Sequence, residues 1–514
     1  MAKTFFITTA IDYTNSPPHI GHAYEKVLAD VIARYHRLKG ERVFFLTGVD
    51  QHGQKVQQSA AKAQVAPADF VKGLTQKFVD LWKLLEVKYD GWAETIAPRH
   101  KEVVQGMLQR LFDAKQIYKD KQSGYYSVRQ EQFLTDKERG PDGEFGPEWG
   151  QVEFREEENY YFKLSQHKNW LLGYIDNRKD AIIPDFRQTE LRNAVERISG
   201  DLCISRPKSR LDWGIELPFD KDFVNYVWFD ALSNYISFAG YDPSASSFNL
   251  QPSSFLDKWP AFQIIGKDIL VPAHGIYWLI MLHAVGFPDE AMPQLLVHGW
   301  WNIGGAKMSK STGNIVDPNV LADKYSAEAV RYYLMSDIAT GRDADFSEER
   351  LIERYNADLA NNLGNLLNRT LNMAHRYRDG VVQQAGGDSA LVAQAANLVR
   401  GYSEAMSAHK IDAALERIGE FVTACNTYIE MAAPWKLAKD AARAEALDHS
   451  LFALAEALRV IAILISPILP NAAREILYQL NWSREYSLSD AGWGALPSKH
   501  QLGKPVPLFP RIES

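Results

Sequence analysis

The stretch from Phe5 to Leu46 constrains the fold more than any other part of the 514-residue chain. Phe5-Phe6-Ile7-Thr8-Thr9-Ala10 is a short apolar and β-branched run suited to a buried strand. Asn15-Ser16-Pro17-Pro18 breaks it. Val27, Leu28, Val31, Ile32, Tyr35 and Leu38 then recur at helical spacing, and Gly40 stands where a helix C-cap glycine belongs. Val43-Phe44-Phe45-Leu46 is a second buried strand. Strand, helix, strand in this order is a βαβ unit, which requires a parallel sheet covered by helices.

The remaining pattern divides the chain into further regions. The predicted Rossmann-like parallel-sheet domain has its first half at residues 1–117, and residues 54–113 within it read as largely helical. Residues 118–222, with paired aromatics and a Gly/Pro/Asp stretch at 140–150, read as a mixed α/β insertion. The parallel α/β pattern returns at 223–292, with strand-like Tyr226-Val227-Trp228-Phe229, a strand at 262–265 and a helix at 274–285. Residues 293–350 hold a strand at 295–297 and a glycine-rich loop. From 351 to 514 the chain turns all-α. Ile411, Leu415, Ile418, Val422, Cys425 and Ile429 form one helical stripe, and Leu451, Leu454, Leu458, Ile461 and Ile465 another. Residues 505–510 carry too much proline for a helix and predict an extended tail packed back on the bundle.

Composition limits the functional classes. Hydrophobic residues are 46% and charged residues 24%, ordinary for a globular chain. The net charge is −7, so any nucleic-acid binding must use a local basic patch. Arg376 and Arg378 are candidates for such a patch, and read equally well as a solvated face. Cys203 and Cys425 are the only cysteines, which excludes a disulfide framework and a cysteine-rich zinc site. The apolar run at 5–7 is too short for a signal segment, and that at 460–465 is stopped by Ser466-Pro467. A soluble, reducing, cytoplasmic setting is expected.

Two strings carry chemistry. In Pro17-Pro18-His19-Ile20-Gly21-His22 a helix N-terminus, which favours phosphate, meets two histidine donors and a glycine that lets a ligand approach the backbone. Alone, the histidines read equally well as ordinary loop residues. In Gly304-Gly305-Ala306-Lys307-Met308-Ser309-Lys310-Ser311, followed by Thr312-Gly313, two lysines three apart in a glycine-flanked loop could close over a triphosphate. A solvated basic loop is the plain alternative. The two strings lie at the ends of different strands of one predicted sheet, and that pairing favours phosphate chemistry.

With these strings in hand, the chain resembles the class I aminoacyl-tRNA synthetases, whose HIGH and KMSKS signatures they match. Ile7-Thr8-Thr9-Ala10-Ile11-Asp12-Tyr13, Phe45-Leu46-Thr47-Gly48-Val49-Asp50-Gln51-His52-Gly53-Gln54-Lys55, Tyr226-Val227-Trp228-Phe229-Asp230-Ala231, Ile265-Gly266-Lys267-Asp268-Ile269-Leu270 and Ala433-Pro434-Trp435 narrow it to the methionyl-tRNA synthetase family, over nearly the whole length.

The resemblance implies the following roles. Ala10, Ile11, Tyr13, Trp228, Ala231, Leu232, Tyr235, His274 and Trp278 would form a methionine pocket, with Asp50 holding the substrate ammonium. An aromatic-rich pocket suits a thioether, because sulfur–aromatic contacts contribute about 0.3–1.5 kcal/mol each. His19, Gly21, His22, Lys307, Met308, Ser309, Lys310 and Ser311 would handle ATP with Mg²⁺, and His19, His22, Lys307 and Lys310 would act in catalysis. Asn365 and Arg369, four apart on one predicted helix face, and Trp435 would read the anticodon of tRNA(Met).

The sequence also departs from the family. The Cys-x-x-Cys pairs of many relatives are missing at Ser127-Val128-Arg129-Gln130 and at 140–149, so zinc is not expected, and Tyr125, Tyr126, Phe145 and Trp149 are candidates for an apolar cluster in its place. Asp12 puts an extra carboxylate before Tyr13, and Gln51 replaces a common Glu. The stretch from Gly266 to His274 is one residue longer than usual. The chain ends soon after the helical bundle, without the appended dimerisation domain of some relatives, which predicts a monomer. The insertion is too small for an editing domain. Two other readings stay open from sequence: a class I synthetase for a different apolar amino acid, and a non-catalytic tRNA-binding paralogue.

Overall fold

The computed structural model describes residues 3–127, 132–134, 136–140, 142–307, 315–384 and 389–513. Its centre is a seven-stranded parallel sheet. Across it run Gly91–Glu94, Val43–Asp50, Phe5–Thr9, Phe262–Gly266, Gln294–His298 and Ile182–Ile183, and the short strand Asp12–Tyr13 continues alongside Val49 and Asp50. Phe5 pairs with Val43 on one side and Ile7 with Phe262 on the other. Chain order therefore reverses between Phe5–Thr9 and Phe262–Gly266. A crevice opens at such a reversal, outside the carboxyl ends of the strands.

Strand alternation builds two cores. Ile7 and Phe45 face the helix Ile20–Leu38, where Tyr24, Val27, Leu28, Val31 and Ile32 are buried. Phe6 and Leu46 face the helices Pro98–Asp113 and Val227–Ser237.

One expectation needs refinement and one needs correction. Residues 54–113 are largely helical as expected, in Gln54–Lys62, Pro67–Leu84 and Pro98–Asp113, and also hold the sheet strand Gly91–Glu94, too short to show a period. Tyr226-Val227-Trp228-Phe229 is not a strand. The strand Asp220–Asn225 ends before it, and a helix runs Val227–Ser237. Trp228, Ala231, Leu232 and Tyr235 recur at helical spacing, which outweighs the local aromatic content.

In the expected insertion, Ile117–Ser127 and Val152–Phe162 pair antiparallel along their whole lengths. At their tip Tyr125 and Phe145 lie 5.4 Å apart, with the Arg139 guanidinium over both rings. Tyr126 points to the other strand face, fully buried beneath Arg155 and Arg210. The four aromatics do not form one cluster, because adjacent strand residues face opposite ways. Val128, Arg129 and Gln130 lie outside the described residues. The strand Ile182–Ile183 from the same region joins the central sheet beside Gln294–His298.

The C-terminal region packs Asn365–Arg378, Ser389–Ser407, Ile411–Ala432, Ala444–Ile465 and Pro470–Gln479. Both predicted stripes are buried. The tail packs back as expected: the Val506 N–H donates to Gln479 Oε1 at 2.9 Å, and Phe509 meets Tyr355. Fully buried Arg331 bolts this bundle to the catalytic core. It pairs with Asp30 of the helix Ile20–Leu38 at 2.8 Å and donates to the carbonyls of Leu85, Pro467 and Ile468.

Candidate active site

His19 caps the helix Ile20–Leu38, and its Nδ1 accepts from the Gly21 N–H at 3.1 Å. His22 Nδ1 accepts from the His19 N–H at 3.1 Å, closing a capping box made of two histidines. Both Nδ1 atoms act as acceptors, so each neutral ring carries its proton on Nε2. A Cβ on Gly21 would lie 2.9 Å from the His19 ring. This glycine is required by the cap itself, not only by ligand approach.

Ala10, Ile11, Tyr13, Asp50, Trp228, Ala231, Leu232, Tyr235 and His274 line one cavity of about 660 Å³. Trp278, expected among them, does not. It is fully buried behind Tyr235 at 5.7 Å, its Nε1 donating to Gln263. The segment Leu270–Trp278, which presents His274, is broken by a kink at Val271, where the backbone is extended at φ −116° and ψ 123°. Gly53 also lines the cavity, at φ 106°, and a Cβ there would meet the Tyr13 hydroxyl at 2.9 Å. Sequence reasoning missed Tyr161 and Arg206. They reach the cavity from the insertion, and no local pattern marks them.

Hydrogen-bond direction in this cavity follows from the partners. His274 Nδ1 lies 3.0 Å from the Ile269 carbonyl, which only accepts, so Nδ1 carries the proton. The Tyr235 hydroxyl then donates to Nε2 at 2.7 Å. Burial lowers the His274 pKa to about 4, keeping the ring neutral. Burial also raises the Asp50 carboxyl well above its ordinary value, with the charge of Asp230 adding to the effect. Burial pushes the Asp230 carboxyl up too, but His52 and His100 draw it below the usual carboxylate range. They contact its two oxygens at 2.7 and 2.8 Å. This His52–Asp230–His100 cluster was not anticipated, since its members lie far apart in sequence.

A second cavity of about 390 Å³ shares Ala10, Ile11 and Tyr13 with the first and reaches His19, Gly21, His22, Asp12 and Asp268. Trp300 on its rim receives the Lys267 ammonium over its ring at 3.9 Å and donates Nε1 to Asp268. Ala306–Lys307 pairs antiparallel with Trp301–Ile303 just beyond. Met308, Ser309, Lys310 and Ser311 lie outside the described residues.

In the helical region Asn365 is exposed at the start of Asn365–Arg378. Arg369 pairs with Glu430 at 2.5 Å. Glu430 lies near the end of Ile411–Ala432, and Pro434-Trp435 opens the next helix, with Trp435 half-buried. The three expected residues therefore belong to adjoining helices. Arg378 is paired with Asp448 and contributes little to a basic patch, whereas Arg376 is exposed.

Among the described residues no cluster of His, Cys, Asp and Glu is arranged to hold a metal ion, and no helix is long and apolar enough to cross a membrane.

Comparison with known proteins agrees with this arrangement. The family described as tRNA synthetases class I (M) matches residues 5–142 and 149–371, and the anticodon binding domain of methionyl tRNA ligase matches residues 381–514. The methionine–tRNA ligase of Deinococcus radiodurans is 40% identical over 99% of this chain and 75% of its own length. That of Caldanaerobacter subterraneus subsp. tengcongensis is 40% identical over 100% of this chain and 80% of its own. The solved structure of Mycobacterium tuberculosis methionyl-tRNA synthetase in complex with methionyl-adenylate superposes with a TM-score of 0.92 at 36% identity, covering 99% of this chain and 100% of that one. With family models matching residues 5–142, 149–371 and 381–514 and relatives 40% identical over 99–100% of this chain, the chain belongs to the methionyl-tRNA synthetase family of class I aminoacyl-tRNA synthetases.

Proposed function

We propose a division of labour among this chain's residues for methionine–tRNA ligation, in which L-methionine is activated with ATP and transferred to the 3′ end of tRNA(Met). The methionine side chain occupies the larger cavity, among Ile11, Trp228, Ala231, Leu232 and Tyr235, with its sulfur near the Tyr235–His274 pair. Asp50 takes the ammonium. Its carboxyl is driven up only while no cation is near, so a bound ammonium restores the charged form. The methionine carboxylate is already ionised at neutral pH and attacks the α-phosphorus of ATP, which arrives as its magnesium complex. No general base is needed, and catalysis is positioning and charge stabilisation. His19 and His22 donate from Nε2 to phosphoryl oxygens as charge grows there. Lys307 and Lys310 hold the departing pyrophosphate. A ribose hydroxyl at the tRNA 3′ end, the 2′-hydroxyl by class resemblance, then attacks the adenylate carbonyl and releases AMP.

Asn365, Arg369 and Trp435 are proposed to read the anticodon, Trp435 by stacking and the other two along base edges. Arg369 would exchange Glu430 for a base. Discrimination against shorter side chains falls to the pocket, where one methylene contributes about 1–3 kcal/mol. Homocysteine is the hard competitor.

The observation that carries this reading is the single crevice shared by the apolar cavity holding Asp50 and the smaller cavity holding His19 and His22. ATP–pyrophosphate exchange across the twenty amino acids, without tRNA, tests it. Exchange dependent on methionine alone is expected. Exchange with another amino acid, or with none, would overturn it.

A further inference from the structure

Four ionisable side chains form a buried chain in the wall of the smaller cavity, which Asp12, Glu25 and His298 line, and the reaction scheme uses none of them. Lys26, on the helix Ile20–Leu38, is 1% exposed. Its ammonium donates to Asp12 Oδ1 at 2.6 Å, Glu25 Oε1 at 2.9 Å and the Ala10 carbonyl at 2.9 Å. The other Glu25 oxygen lies 3.0 Å from His298 Nε2, and His298 Nδ1 donates to the Gly299 carbonyl at 2.7 Å. Asp12, Glu25 and His298 are each at most 6% exposed.

The segments joined in this way are the ones the reaction must hold in register. Ala10 directly follows the first strand and lines both cavities, and Asp12 begins the strand that carries Tyr13. Lys26 and Glu25 lie on the helix capped by His19, one turn from His22. His298 ends the strand that leads through Trp301–Ile303 to Lys307. Desolvating such a cluster is expensive, and an apolar replacement of similar volume is often neutral or stabilising. Stability alone is a poor explanation for it.

We infer that Lys26, with Asp12 as its counter-charge, is a positioning residue for adenylate formation: its three bonds hold the shared wall at Ala10 and the strand at Asp12–Tyr13 in register with the helix that carries His19 and His22. The inference rests on the proposed roles of those groups. Removing Lys26 alone would orphan two buried carboxylates, so the informative variant is Asp12→Asn/Lys26→Met. It deletes one negative and one positive charge and keeps an unbranched side chain at position 26, where the ammonium lies 5.8 Å from the Trp82 ring centroid.

The test is methionine-dependent ATP–pyrophosphate exchange, with thermal midpoints measured in parallel on wild type, Lys26→Met and the double variant. Wild-type exchange establishes the underlying reading independently of either variant. The expected result is that the double variant regains most of the stability lost in Lys26→Met, yet its kcat stays at least about tenfold below wild type while KM for methionine moves less than about threefold. A double variant whose kcat returns with its stability would overturn the inference, because the cluster would then be purely structural. So would one in which only KM changes.

Discussion

The Tyr235 hydroxyl donates to Nε2 of His274 across 2.7 Å, at a ring whose Nδ1 is already committed to the Ile269 carbonyl. The Ile269 carbonyl fixes the His274 tautomer, and that tautomer sets the direction in which the Tyr235 hydroxyl donates in the cavity wall.

Tyr235→Phe leaves His274 Nε2 buried without a donor. A lost buried hydrogen bond of this kind costs about 1–3 kcal/mol. Methionine-dependent exchange should therefore lose about ten- to a hundredfold in kcat/KM, while KM for ATP stays near wild type. An equal loss for both substrates would show that Tyr235 supports the fold and not the methionine site.

The same burial sets an acid sensitivity. His274 titrates at about 4 in the folded chain against 6.5 when exposed. Between these values the unfolded chain binds more protons, so stability falls as pH drops from about 6.5 towards 4. At about pH 5 this one group accounts for roughly 2 kcal/mol. The thermal midpoint should drop between about pH 7.5 and about pH 5, and His274→Gln should show a smaller drop. An identical drop in the variant would place the sensitivity elsewhere.

Lys307→Ala and Lys310→Ala should each lower exchange by about two orders of magnitude or more, mostly in kcat, because the lost charge acts on leaving pyrophosphate. Methionine binding, read by equilibrium dialysis without ATP, should be unchanged. A parallel loss of methionine binding would contradict the role.

Trp435→Ala and Arg369→Ala should each leave methionine-dependent exchange intact and reduce tRNA(Met) charging by about five- to a hundredfold, as expected when base stacking worth about 1–3 kcal/mol or an edge contact is lost. The Arg369–Glu430 pair is largely solvent-exposed, and such pairs contribute about 0–1 kcal/mol. Thermal midpoints should thus barely move in Arg369→Ala. If exchange fell together with charging, the bundle would be transmitting a structural defect through Arg331.

Local spacing was enough for the elements that carry their own periodicity. The helix behind His19, the buried strands at Phe5–Thr9 and Phe262–Gly266, and the stripes of the C-terminal bundle could be read directly, because a 3.6-residue repeat and short apolar runs are written in the chain. The two phosphate-handling strings and most of the cavity residues were legible for a related reason: they sit at strand ends and helix starts, where a motif is contiguous. Contacts between distant segments were not legible. Gly91–Glu94 became a sheet strand only by pairing with Val43–Asp50. Trp278 stands buried behind Tyr235, off the cavity that His274 lines. Asp230 was captured by His52 from a loop and His100 from another helix, and Lys26 closed on Asp12 and Ala10 in the cavity wall. Charge state and side-chain direction depend on which groups share a buried volume, and only the packed tertiary structure decides that.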